Sequence, residues 1–163
     1  MILKVEKAGI DAVNRIQNEA YWLQLLNRHS IGPQFLGVTE TGVLMEYVDG
    51  VPILDYATTA SREDLIHVLV DLLYQCRTLD QLGVTKEEMH RPLKHVLVRD
   101  RKVVMIDFER CRRMEKPKNV TQVCQFISKY WDFPGILDKA SIYKQTYGDR
   151  EFQEILQCLT NTS

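Results

Sequence analysis

The chain has 163 residues, 45% hydrophobic and 26% charged, with a formal net charge of −1. That is enough for one globular domain with its own core, and it excludes a global electrostatic pull toward nucleic acid. No apolar run approaches the roughly 18 to 20 residues that span a bilayer, and Cys76, Cys111, Cys124 and Cys158 follow no secretory signal and show no CxxC spacing, so we expect reduced thiols in a cytoplasmic protein without membrane partners.

Residues 1–5 read as a strand. Over 11–27, Val13, Ile16, Ala20, Leu23 and Leu26 recur at spacings of three and four, and Trp22 and Leu25 widen the stripe, which predicts an amphipathic helix. Ile31-Gly32-Pro33 breaks the chain. Residues 35–38 and 43–47 predict a hairpin around Thr39-Glu40-Thr41-Gly42. Val48-Asp49-Gly50-Val51-Pro52 reads as an extended connector, because Gly and Pro oppose regular structure. Ser61-Arg62-Glu63-Asp64 has the form of an N-terminal cap and opens an apolar helix through Leu82, ended by Gly83. Residues 119–130, 140–147 and 150–159 predict further helices, with a turn at Trp131-Asp132-Phe133-Pro134-Gly135.

The most informative stretch lies between these helices. Val103-Val104-Met105-Ile106 reads as a short buried strand, and Asp107 stands where it runs out. A carboxylate on a rigid strand end is placed to hold a hard cation such as Mg²⁺ through oxygen. Upstream come a polar loop, Glu88-Met89-His90-Arg91-Pro92-Leu93-Lys94-His95, a strand at Val96-Leu97-Val98, and the turn Arg99-Asp100-Arg101-Lys102. A polar loop and an Asp at opposite ends of a short hairpin are thus expected to come close together in space. Around it, residues 99–118 carry eight basic side chains, either a solvated face or a surface for an anionic substrate or RNA.

This order of motifs resembles the protein-kinase-like fold, and within it the small atypical predicted Ser/Thr protein kinases of archaea, related to the RIO and Bud32-like kinases. Leu3-Lys4-Val5 looks like the strand bearing the nucleotide-binding lysine, and Asn18-Glu19-Ala20 like the helix bearing its Glu partner. Gly32-Pro33-Gln34-Phe35 is similar to the turn after that helix. Leu44-Met45-Glu46-Tyr47-Val48-Asp49-Gly50 resembles the hinge, with Met45 as gatekeeper. Ile106-Asp107-Phe108-Glu109 resembles the Asp-Phe-Gly metal motif, with Glu for Gly. His90-Arg91-Pro92-Leu93-Lys94-His95 and Lys116-Pro117-Lys118-Asn119-Val120-Thr121 look like hallmarks of the archaeal group. The resemblance implies an α+β fold. Residues 1–47 would form a reduced N-terminal lobe, a short antiparallel sheet with one helix. A hinge at 48–52 would lead to a mainly helical lobe over 53–163.

It also implies roles. Lys4 would hold ATP phosphates and Glu19 would orient it; Glu46 and Val48 would offer main-chain groups to adenine, with Met45 behind. Asp107 would bind Mg²⁺, and His95, where the second metal ligand is usually Asn, suits Mn²⁺ as well. The usual loop Asp is replaced. With two extra loop residues, Glu88 takes the catalytic-base place. Arg91 and Lys94 either bind a phosphate or acidic substrate or pair with Glu88 and Asp107. The Gly-rich phosphate-covering loop would need two strands before Lys4, and only Met1-Ile2-Leu3 precede it. Three functions follow. The first is an ATP- and metal-dependent Ser/Thr phosphotransferase acting on a protein substrate. The second is a pseudokinase or binding module, and the third an RNA- or ribosome-associated ATPase. An open edge at residues 1–5 would accept a partner strand or a second copy.

Overall fold

A computed structural model describes residues 1–5, 10–92 and 94–161, the side chains of 10–14 excepted. Val13 of the predicted helical stripe therefore lies outside the described side chains, and Leu93 of the polar loop outside the described residues. The fold is α+β with small antiparallel sheets. The chain divides into two compact units, residues 1–56 with 93–111 and residues 57–92 with 112–163. Among the described residues no helix is long and apolar enough to cross a membrane.

The first unit contains two three-stranded sheets and one long helix. Strands β1 (Ile2–Val5), β2 (Phe35–Val38) and β3 (Gly42–Met45) pair in the order β1-β3-β2, with Ile2 opposite Met45 and Lys4 opposite Val43. Strand β1 is an edge, and Ile2, Leu3 and Val5 are exposed along it. Helix α1 (Ile10–Asn27) buries Ile16, Ala20, Trp22, Leu23 and Leu26, the face its spacing predicts. Past its end, Asn27 fastens the turn. Its amide donates to the carbonyls of Ile31 and Pro33, and its side-chain oxygen accepts from the Phe35 amide.

The second sheet joins β4 (Val51–Pro52), β6 (Val96–Arg99) and β7 (Lys102–Met105). Here the structure corrects the sequence reading: Val51 and Pro52 pair with Val98 and Leu97 and are not an unpaired connector. Proline is tolerated because β4 is an edge, where its missing N–H breaks no internal ladder. The β6–β7 turn places both Asp100 and Arg101 in the left-handed region, at φ 51° and 62°, the backbone of a two-residue turn that follows strand twist. Short helix α2 (Ile53–Ala57) follows β4.

The second unit is four helices with a two-residue ladder. Helices α3 (Arg62–Gln81), α4 (Asn119–Tyr130), α5 (Ile136–Thr146) and α6 (Asp149–Thr160) bury Leu72, Leu73, Val123, Ile127, Ile155 and Leu159, among others. The Ser61 hydroxyl accepts from the Asp64 amide and caps α3 as its sequence predicts. Helix α5 begins at Ile136, four residues before the predicted start, because Gly135 at φ 81° turns the chain directly into it. Strands β5 (Val84–Thr85) and β8 (Arg112–Arg113) pair across this unit, an association too short for a sequence pattern. All four cysteines are free thiols.

A buried carboxylate organises these helices. Asp80 of α3 accepts from the Asn119 and Val120 amides at the start of α4, from the Asn119 side chain, and from the Tyr143 hydroxyl of α5. It thus does for α4 what a capping side chain would; Lys118, at the cap position, supplies no such bond. Asn119 in turn accepts from the Lys86 amide and donates to the Val84 carbonyl. Replacing Asp80 leaves several buried donors unmet, so Asp80→Ala is expected to cost about 3 kcal/mol or more. Urea unfolding followed by circular dichroism measures it; a loss within about 0.5 kcal/mol, the range of an ordinary surface change, would contradict this account.

Candidate functional site

One cavity of about 340 Å³ lies wholly within the first unit. Its volume falls in the range of small-molecule sites. Ile2, Met45, Val48, Leu97 and Ile106 supply apolar wall, and Lys4, Glu19, Glu46, His95 and Asp107 supply charged or polar groups. The cavity therefore gathers the residues that the resemblance assigned to lysine, glutamate, gatekeeper, hinge and metal motif. Glu88 and Lys94 do not line it. Glu88 belongs to the second unit and sits in the left-handed region at φ 65°. Lys94 is exposed, two residues before β6, and makes no ion pair among the described residues.

The charged corner is built from three segments far apart in sequence. Lys4 enters from β1. Its ammonium lies 2.7 Å from Glu19 Oε2, 2.9 Å from Asp107 Oδ1 and 3.4 Å from Glu109 Oε2. Glu19 is 2% exposed, and burying a lone carboxylate is costly. Its two oxygens are served differently: Oε1 accepts from the Phe108 amide at 3.2 Å, while Oε2 meets Lys4 as a close ion pair outside hydrogen-bond alignment. Burial acts to lower the Lys4 pKa, but the carboxylates of Glu19 and then of Asp107 beside it outweigh that and raise the pKa above the usual lysine value. The lysine is a fixed cation at any physiological pH.

Asp107 owes its position to the backbone. Strand β7 ends at Met105, the Ile106 amide donates to the His95 carbonyl, and Asp107 takes φ 66°. Asp tolerates this left-handed conformation better than most residues, though at some cost. The next residue, Phe108, is fully buried. Its ring rests against Gly32, where an added Cβ would stand 2.8 Å from the ring edge; Gly32 itself has φ 83°. Both facts require glycine there. His95 Nε2 lies 3.5 Å from Asp107 Oδ2.

Elsewhere in the lining, the Glu46 amide donates to the Gln34 carbonyl, while its carboxylate accepts from Arg99 at 2.6 Å and from the Gln34 amide. Arg99, then Gln34, hold the Glu46 carboxyl below its ordinary range. Of the Glu46 main-chain groups, the carbonyl is thus the one left for a ligand, and no described residue hydrogen-bonds the main chain of Val48.

Spacing did not reveal two residues. Glu109 was legible only as a substitution in a motif, yet its carboxylate reaches Lys4. Asn18 pins the segment that carries it: its amide donates to the carbonyls of Glu109 and Cys111, and its oxygen accepts from the Trp22 indole. Glu19, Asp107 and Glu109 can bring three oxygens within 4.8 Å of one another. Such hard donors suit Mg²⁺ or Mn²⁺.

Lys4→Met strands the Glu19 carboxylate. Because Lys4 is a third exposed, the cost is expected to be about 2 kcal/mol, below that of breaking a fully buried pair. A raised lysine pKa stabilises the fold below the unfolded value, near about 10.4, and that contribution is lost as pH rises through the higher folded value. The difference in urea stability between native and Lys4→Met protein should therefore hold steady from about pH 6 to 9 and shrink above about pH 10. A difference that widens with alkali would contradict the pairing.

No family model matches the chain. A stretch of 77 residues, 47% of the chain, is 29% identical to the uncharacterized protein MJ1211 of Methanocaldococcus jannaschii and spans 66% of that protein's length.

Proposed function

We propose that the chain has a protein-kinase-like fold and is an atypical serine/threonine phosphotransferase that uses ATP and a divalent metal, Mg²⁺ or Mn²⁺. The observation that carries this reading is the placement of Lys4 between Glu19 and Asp107 in a cavity of about 340 Å³ that Met45, Glu46 and Val48 also line.

Each group has a physical task. The apolar walls from Ile2, Met45, Val48, Leu97 and Ile106 suit a flat purine, and the Glu46 carbonyl and Val48 amide suit its polar edge. Glu19 holds the Lys4 ammonium, which attracts phosphate oxygens as a point charge. Asp107 would hold the metal; when bound, that ion neutralises phosphate charge. His95 orients Asp107 from its other oxygen. The sequence resemblance assigns the proton of the accepting hydroxyl to Glu88. Phosphoryl transfer asks mainly for positioning and charge compensation, so this small set of groups suffices for it.

Asp107→Asn keeps the size of the side chain and its tolerance of positive φ while removing the charge. Calorimetric titration with ATP plus Mg²⁺ or Mn²⁺ should show metal-dependent binding to the native chain, weakened about tenfold or more in Asp107→Asn. Transfer of labelled γ-phosphate to the chain itself or to casein should fall with it. A folded native chain that binds no nucleotide would overturn the proposal. It would favour a nucleotide-free binding module, a reading that the carboxylates crowding Lys4 already support.

A further inference from the structure

The Lys4 corner holds one carboxylate more than the proposed reaction uses. An ammonium has three N–H groups. The Lys4 ammonium donates to Asp107 at 2.9 Å and forms ion pairs with Glu19 at 2.7 Å and Glu109 at 3.4 Å. Three carboxylates within 3.4 Å of one ammonium compete with an incoming phosphate for it. The other oxygen of Glu109 lies 3.9 Å from both the Arg15 and the Arg110 guanidinium. Glu109 thus stands between two sets of cations, closer to Lys4. Its main chain is held by Asn18, at 2.7 Å from the Glu109 carbonyl, so a change of partner needs only side-chain torsions.

We propose that Glu109 is a self-inhibitory gate of the nucleotide site. It occupies the place on Lys4 that a phosphate oxygen would take, and it yields that place by turning to Arg15 and Arg110. The inference rests on the nucleotide reading above. The Arg15 and Arg110 guanidiniums, each 3.9 Å from the other Glu109 oxygen, give the displaced carboxylate a cationic partner. The resting site is closed to weakly held anions and open to a ligand that brings its own cation. Such a gate acts on affinity and leaves the fold unchanged.

The test is titration of ATP with Mg²⁺ into native protein, Glu109→Gln and the double variant Arg15→Gln/Arg110→Gln, each checked by circular dichroism. Glu109→Gln should bind roughly two- to fivefold more tightly, the range expected for one partly exposed ion pair. The double variant should bind more weakly by a similar factor, because the carboxylate then has only Lys4. Without nucleotide, acetic anhydride should acylate Lys4 faster in Glu109→Gln than in native protein, read by peptide mass spectrometry. Native binding with Glu109→Gln unchanged or weaker overturns the gate alone and makes Glu109 a ligand or a structural group. Equal Lys4 acylation also overturns it. Absence of binding in native protein and Glu109→Gln alike overturns both the gate and the nucleotide reading.

Discussion

The buried carboxylate of Glu19 is the constraint on which the first unit depends. A charge so far from water must be compensated, and compensation comes from two places about a hundred residues apart: the Lys4 ammonium and the Phe108 amide. Helix α1 is thereby tied to the edge strand β1 and to the chain that leaves β7. Packing supplies most of the free energy here, as in any domain, but packing is not directional. The ion pair and the amide bond set register. They decide that Lys4 and Asp107 meet at 2.9 Å, and so they decide the shape of the cavity wall.

The second unit applies the same rule to a different end. Asp80 is also a buried carboxylate, and main-chain amides, a side-chain amide and a phenol donate to it. Burial raises its pKa despite those bonds. Its neighbours are fixed donors, and the result is a rigid joint among α3, α4 and α5. Glu19 instead sits among groups whose charge is only partly buried: Lys4, Asp107 and Glu109 are each between a fifth and a third exposed. Rigidity in one unit and accessible charge in the other follow from what surrounds one residue type.

Much of this was legible in the sequence because the governing signals are local. The apolar spacing of α1, the Ser61 cap and the hairpin from Val96 to Met105 each follow from a few adjacent residues. That Lys4, Glu19, Met45, Glu46, Val48, His95 and Asp107 line one cavity was expected from the order of motifs, not from physics applied to each residue. What escaped was non-local or too short. Strand β4 has two residues, one of them proline, and gains its identity only from β6. The β5–β8 ladder joins Val84 to Arg113 across nearly thirty positions. Asp80 looks like any acid near the end of a helix until α4 starts against it. Glu109 looked like a departure from a motif, because the reach of a side chain is not encoded in spacing.

The contact between Gly32 and Phe108 restricts which sequences the fold can accept. The ring fills the space that any side chain at position 32 would need, and the backbone there is left-handed. A single substitution at either position opens a void or forces the ring aside, and the ring cannot move without pulling on the Asp107 main chain next to it. Positions 32 and 108 are therefore bound to drift together or not at all. In a set of diverged chains sharing this architecture, a residue other than glycine at 32 should coincide with a smaller residue at 108 and with a relocated acid at 107. The pair is a marker, readable from sequence alone, of whether a distant relative keeps the same charged corner.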